Sequence, residues 1–221
     1  MARRKNIELS DRPWASRKLF QRFLGPYVED AHTGLFFSTD SSQENRELVT
    51  ATVPLLHPAV RKLCREYELT FSFSSGVTVV GNASTFYADF SQRDRRLISP
   101  HIEMGKYSLT EDVVHPHLAH ETAHLWWRNL PESTREAYRE WLTRRTTGDT
   151  IEVTAYAQNL LNEWRLAVRR PDSDLHVDYQ RFNALKSWSE ESFCETVAVL
   201  QAPSYPSLQQ RCNVDLQVRR S

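Results

Sequence analysis

Five consecutive residues, His120-Glu121-Thr122-Ala123-His124, constrain this chain more than any other stretch of it. Two imidazoles four positions apart lie on one face of an α-helix, about a turn from each other, so both can reach a single ion. Glu121 then projects beside that ion, placed to take a proton from water rather than to fill a coordination position. Two unrelated histidines on a surface helix would show the same spacing. What decides between them is whether the chain supplies a third ligand and a sheet to accompany the helix.

The bulk properties permit such a domain. With 221 residues, 40% of them hydrophobic and 11% aromatic, the chain can bury a real core. Lysine plus arginine and aspartate plus glutamate balance at 28 each, so net charge gives no reason to expect a nucleic-acid partner. No apolar run is long enough to span a bilayer. The first residues carry Arg3, Arg4 and Lys5 without an apolar stretch behind them, which is not a secretory signal. Cys64, Cys194 and Cys212 are odd in number and scattered, so neither a disulfide framework nor a cysteine metal knuckle is expected. A reducing, cytoplasmic setting is the default expectation, and secretion without a signal peptide stays open.

Periodicity divides the chain into a basic extension over 1–30, a domain over 31–202 and a polar tail over 203–221. A short strand is expected at Gly34–Ser38. Helix follows from Glu44 to Tyr67, divided by Pro54 and Pro58. Leu69, Phe71 and Phe73 alternate with polar residues, which is strand periodicity, and Thr85–Phe90 and Arg96–Glu103 read as two more strands. Thr110 opens the motif helix, in which Pro116 implies a kink or a late start. Ser133 and Glu136 have capping-box spacing. A helix is expected from Asp149 to Val168 with Tyr156, Leu160, Leu161, Trp164 and Leu166 on its apolar side, and another from Ser189 to Leu200. The fold class is α+β: a small mixed sheet over the motif helix, then a helical C-terminal half.

A catalytic zinc takes three protein ligands and leaves a position open. Trp127 and Leu130 stand where a glycine and a third histidine would follow the motif in one major class, so the third ligand must come from elsewhere. Glu191-Ser-Phe-Cys-Glu195 offers two carboxylates on one helix face, with Phe193, Val197 and Leu200 toward the core. Two acids on a half-buried face are costly unless a cation or hydrogen bonds hold them. Glu191 is the expected ligand and Glu195 the group that hydrogen-bonds a ligating histidine. Glu163, in Asn162-Glu163, is the alternative ligand. Asp178 is a more remote one, and His117 reads as a cleft-lining or surface histidine.

HExxH followed by a distant ExxxE helix resembles the gluzincin metallopeptidases, and among them the arrangement of lethal factor-like toxin domains. The resemblance covers the two helices and, loosely, the order of elements before them. Ser192 and Cys194 depart from it, standing where that family usually carries apolar residues. It implies a zincin-like catalytic domain whose edge strand pairs with an extended peptide; Leu97–Glu103 is the expected edge. It further implies that His120, His124 and Glu191 hold Zn²⁺ and that Glu121 is the general base for hydrolysis of peptide bonds. Tyr179, His176 and Tyr205 are candidates to stabilise the oxyanion. Trp126 and Trp127 read as packing residues. The other reading is a non-catalytic zinc-containing domain that binds a peptide or partner on the same scaffold, with His117 or Glu195 closing the fourth position.

Overall fold

A computed structural model describes residues 6–7, 27–74, 84–91, 96–105, 110–171 and 175–202. The chain forms two compact units, Met1–Asn129 and Leu130–Ser221.

The first unit holds a mixed sheet of β1 (Asn6–Ile7), β2 (Tyr27–Glu29), β3 (Phe36–Ser38), β4 (Thr70–Ser74), β5 (Ser84–Ser91) and β6 (Arg96–Gly105). Among the described residues the strand order is β1-β2-β3-β4-β6-β5. β3, β4 and β6 run parallel, while β1, β2 and β5 pair antiparallel with their neighbours. The turn between β2 and β3 closes through Gly34, whose φ of 73° suits a residue without a Cβ. Asp30 holds that turn by accepting from both the backbone N–H and the hydroxyl of Thr33.

One sequence expectation changes here. β6 is not an edge: it pairs with β4 on one side and β5 on the other, so among the described residues β5 lies at that end of the sheet and β1 at the other. Along β4, Thr70 and Ser72 are buried together with Leu69 and Phe71. A central strand is covered on both faces, and its hydroxyls must find partners. They find His101, the residue opposite Thr70 on β6. Thr70 Oγ1 lies 2.9 Å from its Nδ1 and Ser72 Oγ 2.9 Å from its Nε2.

Between β3 and β4 come α1 (Gln43–Thr52), a 3-10 turn (Val53–Leu55) and α2 (Pro58–Glu66), a division at Pro54 and Pro58 as the prolines require. Ser42 caps α1 by accepting from the Asn45 N–H, and His57 caps α2 by accepting from the Ala59 N–H. The motif helix, α3, runs from Glu111 to Asn129 with Pro116 inside it. There is no late start, because only the early backbone bond to Asp112 is forfeited at that position. α3 packs on α1, α2, β5 and β6. Its far end is held by Tyr67, whose hydroxyl donates to Asn129 Oδ1 at 2.5 Å.

The second unit consists, among the described residues, of α4 (Glu132–Arg145), α5 (Ala155–Arg169) and α6 (Leu175–Gln201). Leu142, Leu161 and Trp188 form its buried centre, with Trp164 stacked on Trp188 at 4.8 Å. Ser133 does not cap α4; Pro131 holds that position, and Glu132 binds Arg135 and Arg139 instead. α5 starts later than its polar lead-in implied, where Thr154 accepts from the Ala157 N–H. α6 is one helix of 27 residues, with no break before Ser189. The apolar stripe expected on α5 is only partly inside: Leu161 is buried, whereas Tyr156 and Leu166 are largely exposed. No helix among the described residues is long and apolar enough to cross a membrane.

Candidate metal centre

α3 presents its two faces differently. Val114, Leu118, Ala119, Thr122, Ala123 and Leu125 are fully buried, which fixes the rotation of the helix. Thr122 adds to this by donating back to the Leu118 carbonyl at 2.6 Å. That rotation leaves His120 and His124 partly exposed, their rings edge to face with centroids 5.2 Å apart. Glu121, beside them, is 5% exposed. His117 lies on the same face one turn earlier, and its pKa is pushed down to about 4, first by burial and then by the charge of His120. It is therefore neutral at physiological pH. Trp127 is buried, and Trp126 stacks on His57 at 5.0 Å, so both tryptophans serve packing.

On α6, Glu191 is 8% exposed and Glu195 fully buried. Glu195 has its carboxylate engaged by Thr154: the backbone N–H donates to Oε2 at 3.2 Å and the hydroxyl to Oε1. The same hydroxyl caps α5, so Glu195 ties the first turn of α5 to α6. A second tie lies alongside, where Trp188 Nε1 donates to buried Glu152 at 2.8 Å. Tyr156 lies two residues past the Thr154 cap, within reach of the field of Glu191. Its phenol pKa is raised by burial and then by the carboxylates of Glu191, Glu163 and Glu190. Sequence reading counted Tyr156 as part of an apolar stripe; its position just past a capping threonine was the only local clue.

One ligand atom from each of His120, His124 and Glu191 lies within 4.8 Å of the other two. Ligand atoms on a tetrahedral zinc, bound at about 2.0–2.2 Å, stand roughly 3.4 Å apart, so small side-chain rotations close the set. Two imidazoles and a carboxylate are a zinc donor set, and three protein ligands leave a fourth position. A carboxylate as buried as Glu191 is costly unless a cation or hydrogen bonds hold it, and a bound cation would serve.

The remaining candidates fall elsewhere. Glu163 is exposed on α5 and is not part of the group. His176 and Tyr179 lie fifteen and twelve residues before Glu191 on the unbroken α6, about 22 and 18 Å along its axis, too far to touch a carbonyl there. Tyr205 lies outside the described residues. Asp178 is paired with Arg181 at 3.0 Å. Cys194 and Cys64 are buried and not joined in a disulfide, and burial pushes the Cys64 thiol up to about 12. Comparison with protein families, with curated proteins and with solved structures finds no match for this chain.

Proposed function

We propose that this chain is a zinc-dependent metallopeptidase of zincin-like architecture. The observation that carries the reading is the convergence of His120, His124 and Glu191, two of them from the HExxH helix and one from the ExxxE stretch. His120, His124 and Glu191 would hold the ion. Zinc, when bound, supplies a Lewis acid that polarises a carbonyl and lowers the pKa of water toward neutrality.

The chain's own residues do the rest. Glu121 accepts a proton from the water that attacks the scissile carbonyl, and returns it to the amide nitrogen as the C–N bond breaks. The balance is addition of one water across one peptide bond. Tyr156 donates its hydroxyl to the carbonyl oxygen as that oxygen gains charge. β5, which among the described residues pairs only with β6, offers an edge for an extended substrate to join as an additional strand. Glu195 acts through Thr154, by fixing where α5 begins.

Supporting a catalytic over a merely structural zinc, Glu121 stands beside the ligands, where a structural site has no use for a general base. The test is incubation of zinc-loaded protein with a peptide library made from a digested proteome, new termini being read by mass spectrometry. Glu121→Gln is expected to keep its zinc and lose cleavage. Cleavage by Glu121→Gln at the parental rate would sink the mechanism, and zinc binding without any hydrolysis by the parent would leave only a peptide-binding domain.

A further inference from the structure

The second unit carries a groove that the chemistry above does not use. It runs between α5 and α6, with a volume of about 550 Å³, over a floor that includes Ala167 and Ala184. Its direction is fixed by contacts along the antiparallel pair. Arg181 donates to the carbonyls of Ala167 and Arg170 at one end, Trp164 stacks on Trp188 further along, and Thr154 binds Glu195 beyond. The groove therefore opens at Arg170 and His176 and passes Glu163 and Ser187. Beyond it, Tyr156 lies two helical turns further along α5 and Glu191 one turn further along α6.

Charge is ordered along it. Tyr156 and Glu163 stand seven residues apart on one side of α5, and Arg170, seven residues on, is the residue that caps its C-terminus. Each step of seven is about 10.5 Å of helix, the length of roughly three residues of extended chain. Among the described residues Glu163 makes no hydrogen bond or ion pair, and Arg170 bonds a neutral partner, Gln180 Oε1, at 2.5 Å. Both charges are exposed, while Leu166 and Tyr179, each 64% exposed, offer apolar surface beside them.

Resting on the peptidase reading, we propose that this groove binds the substrate chain on one side of the scissile bond and selects its charge order. A basic residue sits about three positions from the bond, against Glu163, and an acidic residue about three positions further, against Arg170. The residues between them lie on Leu166 and Tyr179. The occupant is an extended polypeptide with alternating charge at a spacing of three.

The experiment uses fluorescent ten-residue peptides of one frame carrying Lys-x-x-Glu, Glu-x-x-Lys, Lys-x-x-Lys or Glu-x-x-Glu. Binding to the zinc-free full chain is read by fluorescence anisotropy, so that catalysis plays no part. One mixed-charge order is expected to bind about fivefold tighter than both like-charged peptides, the size two exposed ion pairs allow. The double charge swap Glu163→Arg/Arg170→Glu is expected to exchange the ranking of the two mixed orders; since both residues are exposed, circular dichroism should show an unchanged fold. Equal binding of all four peptides, or a ranking unmoved by the swap, overturns the proposal. Peptide discrimination without hydrolysis would keep the groove and remove the peptidase reading. Hydrolysis without discrimination would do the reverse.

Discussion

Replacing Thr154 with alanine is expected to destabilise the second unit by about 3 kcal/mol. The hydroxyl makes two bonds: it accepts from the Ala157 N–H at 3.2 Å and donates to the buried carboxylate of Glu195. Loss of an N-cap costs about 1 kcal/mol. Loss of a hydrogen bond to a charged group costs about 1.5–3 kcal/mol, and a fully buried carboxylate has no water to replace it. Because one hydroxyl makes both bonds, the two costs overlap, which sets the estimate near the middle of their range. Thr154→Ser keeps the hydroxyl and loses one methyl, so it should cost about 1 kcal/mol or less. Urea unfolding followed by tryptophan fluorescence measures the difference. With an m-value of about 2 kcal/mol/M, the alanine variant's midpoint should fall by about 1.5 M and the serine variant's by less than about 0.5 M. If the two variants unfold within about 0.5 kcal/mol of each other, the Thr154–Glu195 tie does not hold α5 to α6.

Two leucines on α5 should behave oppositely under truncation: Leu161→Ala, fully buried, costs about 2–5 kcal/mol, whereas Leu166→Ala, 64% exposed, stays within about 0.5 kcal/mol, both read by thermal unfolding. Tyr156→Phe should lower kcat by about 10²–10³ with KM and zinc content nearly unchanged, and a kcat within threefold of the parent would remove Tyr156 from the chemistry. His115 is buried, its Nε2 has no hydrogen-bond partner among the described residues, and burial holds its pKa below the ordinary 6.5. The unfolded chain therefore binds this proton more readily than the folded one. Its contribution to stability is complete above pH 6.5 and is lost as pH falls below that value, so His115→Leu should flatten the acid-side slope of stability against pH in urea titrations.

What the sequence makes legible is whatever is encoded within a few residues. Pro54 and Pro58 divide α1 from α2 through their missing donors, and the four-residue spacings of His120 with His124 and Glu191 with Glu195 declare shared helix faces. Strand pairing is different. The periodicity of Leu97–Glu103 is the same in an edge strand as in an interior one, and only the parallel pairing with β4 makes β6 interior. That Thr70 and Ser72 are buried against His101 has no local signature, because His101 is about thirty residues away. The first half of α6 was unreadable for the opposite reason: Tyr179 and Phe182 are exposed, so the apolar rhythm that marks a buried helix face is weak there. The start of α5, and with it Tyr156, is tied to α6 by bonds spanning 36 and 41 residues, Trp188 to Glu152 and Thr154 to Glu195, which leave no local signature.

The most direct test of the central claim is the zinc content of purified protein and of single variants, measured by inductively coupled plasma mass spectrometry after dialysis against a weak chelator. One zinc per chain is expected in the parent, in Glu121→Gln and in Glu163→Ala, with loss in His120→Ala, His124→Ala and Glu191→Ala. Zinc retained by Glu191→Ala and lost from Glu163→Ala, or no zinc in the parent at all, would contradict the site.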